Sequence, residues 1–153
     1  MKKSKFVYVT YIRTMPKKLW QALTEPEFIR RYFYETTHES EWKPGSAWRM
    51  VAPGGRVVDA GKVLEAKPSR KLVLKWRNEL KPELRAEGYS RMTYEIEKEG
   101  TSVKLTVTHE MNRPDSKLID AVSGGWPPLL ASLKSLLETG ESLAETRKWP
   151  KGL

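Results

Sequence analysis

Gly125-Trp126-Pro127-Pro128-Leu129-Leu130-Ala131-Ser132-Leu133-Lys134-Ser135-Leu136-Leu137-Glu138-Thr139-Gly140 is the stretch on which the fold turns. Its leucines, 129, 130, 133, 136 and 137, fall at i, i+1, i+4, i+7 and i+8, a single apolar stripe on a 3.6-residue helix. A stripe of this kind has to lie on something. Each buried leucine contributes about 1.5–3 kcal/mol before entropy is subtracted, so this helix carries a large share of a small domain's stability. Pro128 disfavours the helical conformation at Pro127, which predicts a helix beginning near Pro128, with Trp126 on the approach and Gly140 as its C-cap.

Upstream, residues 111–125 read as a polar connection with one helical turn around Leu118-Ile119. Before that, from Glu35 to Glu110, apolar residues recur with period two. The turn signals Lys43-Pro44-Gly45, Pro53-Gly54-Gly55, Pro68-Ser69, Lys81-Pro82 and Glu99-Gly100 punctuate the run. Six strands are predicted near 36–42, 46–51, 56–66, 71–77, 89–98 and 101–110, joined as an antiparallel meander. Lys5 to Arg13 is a further strand, apolar on both faces. Thr14-Met15-Pro16 opens a short helix through Leu19, Trp20 and Leu23, with Thr14 as its expected cap. Thr24-Glu25-Pro26-Glu27 has the spacing of a capping box and starts a second short helix to about Tyr32. The expectation is an α+β domain over residues 1–153, with 141–153 a loosely ordered tail.

At 153 residues the chain suits one domain. With 39% hydrophobic and 31% charged residues it reads as globular, not disordered. The absence of cysteine excludes disulfides, thiolate metal sites and cysteine nucleophiles, and two histidines without HExxH spacing make a poor metal site. No cofactor is expected. The N-terminus lacks the apolar core of an export signal, and no run approaches the ~20 apolar residues of a membrane span, so a cytoplasmic protein is expected. The formal charge of +9 is spread along the chain in short groups, Lys2-Lys3-Lys5, Lys17-Lys18, Arg30-Arg31 and 67–71. That spread favours a solvated basic surface over a specific nucleic-acid site.

The order strand, two short helices, six strands, long helix resembles the START-like superfamily, also called SRPBCC, helix-grip or birch-pollen-allergen-like. Within it the chain is similar to the branch of activators of the ninety-kilodalton heat-shock protein ATPase, in its small bacterial form. Residues 19–27, the turn Trp42-Lys43-Pro44-Gly45-Ser46, and Gly125-Trp126 with Leu130, Leu133 and Leu137 carry the likeness. The double proline and the segment Arg77 to Arg91 depart from the pattern. The resemblance implies a curved seven-stranded antiparallel sheet wrapped around the long C-terminal helix. It also implies a hydrophobic small molecule or a chaperone as partner, and a monomer or homodimer.

A curved sheet gripping a helix leaves a gap, and concave apolar surfaces with a few polar groups bind small molecules. Trp48, Met50, Trp76, Met92 and Tyr94 on the strands, with Phe28, Tyr32, Phe33 and Trp126, form a candidate lining for a flat or greasy ligand. Leu129 and Leu130 are expected beside Trp126 at the cavity border, and any gate there, with Leu133 and Leu137 in packed core. Alternation with Val103, Leu105 and Val107 carries His109 to the inner face. It is a candidate ligand contact or proton carrier, or a core-edge histidine satisfied by a neighbour, and His38 has the same ambiguity. Asp59, flanked by Val57, Val58 and Ala60, is the carboxylate that stands out. No catalytic motif such as GxSxG is present. The expected function is therefore a small-molecule binding protein with a hydrophobic or aromatic ligand between sheet and C-terminal helix. The alternatives are a cyclase or hydrolase using His109, Tyr94 or Asp59, and a chaperone-ATPase activator.

Overall fold

The alternation read from the sequence is realised strand by strand. The computed structural model describes residues 3–153; Met1 and Lys2, which begin the basic N-terminal group, lie outside the described residues. The elements are β1 (Ser4–Ile12), α1 (Pro16–Thr24), α2 (Pro26–Tyr32), β2 (Thr37–Ser40), β3 (Ala47–Val51), β4 (Val57–Lys67), β5 (Lys71–Asn78), α3 (Pro82–Arg85), β6 (Ser90–Glu99), β7 (Ser102–Met111) and α4 (Lys117–Thr139). A 3₁₀ turn follows at Ala144–Thr146. The strands form one seven-stranded antiparallel sheet in the order β1-β7-β6-β5-β4-β3-β2. Each strand from β2 to β7 pairs with its neighbour in sequence, as short turns dictate; only β1 closes onto the distant β7. The class is α+β, with the helix-grip arrangement the resemblance implied.

The core lies between the sheet's inner face and the helices. In β7, Val103, Leu105, Val107, His109 and Met111 alternate inward, and Trp126, Leu129, Leu130, Leu133 and Leu136 of α4 are buried against the same core. Leu137 is only partly buried at the edge of that core, a correction to its expected full packing. The outer end of α4 is clamped to β1, where the Glu138 carboxylate accepts from Arg13 N (2.8 Å) and from Lys134 Nζ (2.8 Å).

The expected start of α4 near Pro128 is overturned. The helix begins ten residues or so earlier, at Lys117, and runs through Pro127 and Pro128 without a break. The prolines leave the carbonyls of Ser123 and Gly124 without their helical N–H partners. Two observations offset that loss. Ser116 caps the helix by accepting from Ile119 N (3.2 Å), and Glu87, from the β5–β6 connection, accepts from Ser116 Oγ (2.6 Å) and Lys117 N (2.8 Å). Burial raises the Glu87 carboxyl, but these hydrogen bonds outweigh it and hold its pKa below the ordinary value, so an anion sits at the positive end of the helix.

Two local expectations also fail. Met15, not Thr14, is the N-cap of α1, and Glu25 is the N-cap of α2, neither with a side-chain cap. Thr24 instead turns back and donates to Trp20 O (2.8 Å), the i−4 bond open to a helical threonine, so the capping box does not form. The segment expected as a loose tail returns to the body: Tyr34 N donates to Thr146 O (2.8 Å), Leu143 N to Ser132 Oγ (2.9 Å), and Thr146 is buried.

Gly61 sets the spacing at the middle of the sheet. It lies in register between Trp48 and Trp76, whose ring centroids are 4.6 Å apart, and a Cβ on it would stand 1.6 Å from the Lys75 carbonyl oxygen. Gly61→Ala is expected to cost about 1–3 kcal/mol in urea unfolding, the range for overpacking. Gly124→Ala, inside α4 with open space around it, is expected to stabilise by about 0.5–1 kcal/mol.

Candidate functional site

A pocket of about 510 Å³ opens between β3–β5, the first half of α4, α3 and the C-terminal segment. Its walls are apolar, and its polar groups are few. A register shift puts Val51 opposite Val57 and Met50 opposite Asp59, leaving Val58 as the extra, bulged residue. Val58 and Asp59 both line the pocket as a result. Asp59 is 9% exposed, and its Oδ1 accepts from Trp76 Nε1 at 2.9 Å. Burial pushes its carboxyl up, the Trp76 bond opposes that, and the nearby Glu79 charge adds to it; the pKa rises from 3.8 to about 7. A carboxyl poised there can hold or release a proton near neutrality.

Beside the pocket runs a continuous aromatic seam. Ring centroids are 4.7 Å apart for Phe33–His38, 5.7 Å for His38–Trp48, 4.6 Å for Trp48–Trp76 and 5.9 Å for Trp76–Trp126. Trp126 joins this seam to the polar interior of the sheet. Its Nε1–H donates to His109 Nδ1 at 3.1 Å. Because that nitrogen must accept, the proton of a neutral His109 sits on Nε2, 2.8 Å from Ser90 Oγ, and the Ser90 hydroxyl donates in turn to Trp76 O at 2.9 Å. Every polar atom of this Trp126–His109–Ser90 relay is used. Burial lowers the His109 pKa from 6.5 to about 3, so the imidazole is neutral at physiological pH.

The sequence-derived candidates divide into three groups. Phe33, Met50, Asp59, Trp76, Trp126 and Leu129 line the pocket. Tyr32, His38, Trp48 and Tyr94 instead surround a void of about 10 Å³ deeper in the core, to which Phe33 and Trp76 also contribute. Among the described residues His38 Nε2 and Trp48 Nε1 have no hydrogen-bond partner, and burial lowers His38 from 6.5 to about 3. Tyr32 donates to Ala22 O at 2.7 Å, and burial pushes the Tyr94 hydroxyl well up. Met92, Leu130 and His109 border neither space: the first two are packed core, and both nitrogens of His109 are occupied. Phe28 stands apart under the Lys18 ammonium, 4.7 Å from its ring centroid.

Pocket residues missed in the sequence include Leu84 of α3, Leu118 and Val122 of α4, and Trp149 and Leu153 of the C-terminal segment. A signal existed for two of them. Leu118, Val122, Trp126 and Leu129 continue the helical spacing of the leucine stripe upstream of the prolines. Among the described residues no group of three or more His, Asp or Glu is placed to hold a metal ion. None of the described helices is long and apolar enough to cross a membrane.

Residues 13–138 match the model of the family described as Activator of Hsp90 ATPase homolog 1-like protein. The chain belongs to this family. Its fold is shared by solved relatives. Protein MLL2253 from Mesorhizobium loti is 25% identical over 88% of this chain and 96% of that one, with a TM-score of 0.75. ChR145 from Cytophaga hutchinsonii is 28% identical over 90% of this chain and 96% of that one, with a TM-score of 0.70. Aha1 from Colwellia psychrerythraea, solved as a dimer, is 17% identical over 91% of this chain and 99% of that one, with a TM-score of 0.74. Comparison with curated proteins found no match.

The two histidines give this family member a testable acid response. A buried imidazole whose folded pKa is depressed contributes stability that is full above its unfolded value of 6.5 and is lost as pH falls toward about 3. Asp59 has the opposite sign: its contribution is full below 3.8 and is lost as pH rises through about 7. His109→Gln keeps one acceptor for Trp126 and one donor for Ser90 but takes up no proton. Urea unfolding from pH 6.5 down to 3.5 is expected to show a variant whose stability falls less steeply than the parent's, by about one proton.

Proposed function

We propose that the protein is a small-molecule binding protein that takes a hydrophobic or aromatic ligand into the 510 Å³ pocket between the sheet and α4. The observation that carries this reading is the combination of apolar walls with one deeply placed carboxyl, Asp59, whose direction is fixed by Trp76. Volume and composition both fall in the range of small-molecule sites. The neutral carboxyl available at physiological pH also supports a proton-transfer role for Asp59, should the bound molecule be a cyclase or hydrolase substrate. The oligomer, monomer or homodimer, and a cytoplasmic location remain part of the same proposal.

A second observation favours a contact with an acidic protein segment, the chaperone partner that the family's description suggests. Lys62, Lys75 and Arg91 stand opposite one another on β4, β5 and β6, all exposed on the sheet's outer face, with the Lys75 ammonium 4.6 Å from the Tyr89 ring centroid and Glu110 of β7 next in register after Arg91. Among the described residues none of the three makes an ion pair. Like charges in direct cross-strand register destabilise a sheet, so an anionic partner has a standing advantage here. In sequence these cations are scattered; in register they form a ridge.

Native mass spectrometry of freshly purified protein, then a thermal-shift screen of lipids and aromatic metabolites, tests the first reading. At least one class is expected to raise Tm, and Ala121→Trp, which fills the pocket from an exposed position, is expected to abolish the shift while the variant still melts cooperatively. A protein that carries nothing and is stabilised by nothing overturns it. For the second reading, Lys62→Glu, Lys75→Glu and Arg91→Glu together are expected to abolish low-salt pull-down of an Hsp90-type chaperone and any stimulation of its ATPase. A parent protein that captures nothing at low salt sinks that idea.

A further inference from the structure

The pocket's polar groups narrow what it accepts, given that it is a ligand site as proposed above. Among the described residues the charged side chains that line it are Asp59 and Lys81, and they differ in depth: Lys81 is exposed at the rim, whereas Asp59 is 9% exposed. Of the two Asp59 oxygens, Oδ1 is occupied by Trp76 Nε1 at 2.9 Å. Among the described residues Oδ2 receives no hydrogen bond, and Asp59 is part of the pocket wall. The carboxyl thus offers one unused acceptor to whatever enters.

Aromatic rings line the same pocket as that acceptor. Trp76 and Trp126 meet at 67° with centroids 5.9 Å apart, and Phe33 and Trp126 at 81° and 6.3 Å. Trp149 completes the wall from the C-terminal segment. Ring faces attract cations through their quadrupole, and a desolvated carboxylate is satisfied best by a charged donor. A ligand carboxylate would meet repulsion instead. We propose that the pocket selects an apolar amine, its ammonium placed against Asp59 and its hydrocarbon or ring body along Trp76, Trp126 and Leu129.

The groups facing Asp59 agree with this assignment. Its own strand contributes Val58, and the pocket residues of α4 (Leu118, Ala121, Val122, Gly125, Trp126 and Leu129) are all uncharged. Glu79, the nearby like charge, is held by Arg77 (2.5 Å) and Arg85 (3.6 Å), which leaves Asp59 as the acceptor inside the pocket. Asn78, another polar wall residue, spends its Oδ1 on Leu80 N and Lys81 N in the turn that leads into α3. With a folded pKa of about 7, Asp59 is mostly protonated at pH 6, so binding an ammonium there expels its proton, whereas binding a neutral alcohol does not.

Isothermal titration with tryptamine, tryptophol and indole-acetic acid tests the proposal, because the three share a ring system and differ only in the terminal group. Tryptamine is expected to bind at least about 10-fold more tightly than tryptophol, with indole-acetic acid weakest. At pH 6, buffers of different ionisation enthalpy are expected to report proton release for tryptamine alone. Asp59→Asn, nearly isosteric and able to accept from Trp76, is expected to erase the amine preference while retaining tryptophol. Tryptophol or the acid binding as tightly as tryptamine, or a preference that survives Asp59→Asn, overturns this assignment and leaves the pocket reading intact. No binding of any of the three, together with a thermal-shift screen that stays flat, removes both.

Discussion

A single hydrogen bond, from the Trp126 indole to His109 Nδ1, ties the long helix to the sheet at the point where the helix is weakest. Trp126 immediately precedes the two prolines that remove backbone hydrogen bonds from α4. The bond also dictates the tautomer of His109, and through Ser90 it reaches the backbone of Trp76 on β5. Helix α4, β7, β6 and β5 are therefore joined in one polar line through an otherwise apolar interior. A buried line of this kind rigidifies when every member is satisfied, and here every member is.

Two of the same residues, Trp126 and Trp76, border the pocket. Trp126 lies against His109, and Trp76, its neighbour in the aromatic seam, gives its indole N–H to Asp59. The pocket is lined by Leu118, Val122 and Leu129 on one side and Met50, Val58 and Asp59 on the other. The half of α4 beyond the prolines, with Leu133 and Leu136, packs tightly and supplies burial. One helix thus has two duties, a pocket wall as far as Leu129 and stability beyond it. The C-terminal segment closes the remaining side with Trp149 and Leu153.

Local signals carried the strands well, because a period-two pattern bounded by Pro-Gly turns has few other solutions. They misled at Pro127-Pro128 for a physical reason: a proline's cost is local and its compensation is remote. Glu87 reaches the start of α4 from about thirty residues away, and His109 reaches Trp126 from another strand. Thr24 failed as a cap because its hydroxyl found the Trp20 carbonyl within its own helix. The basic ridge Lys62-Lys75-Arg91 was equally invisible, since strand register, not sequence proximity, brings those charges together.

The sequence by itself determined the element order, the antiparallel meander, the inward face of β7 and the leucine stripe, all of which follow from periodicity and turn chemistry that act over a few residues. It also singled out Asp59, as a lone acid in an apolar run. Only the tertiary structure decided which aromatic residues border open space and which are filled core. It separated Phe33, Trp76 and Trp126 from Met92 and Leu130, and engaged both ring nitrogens of His109 while leaving an oxygen of Asp59 free. That decision depends on partners distant in the chain, and a residue's own type and spacing hold no record of what will be packed against it.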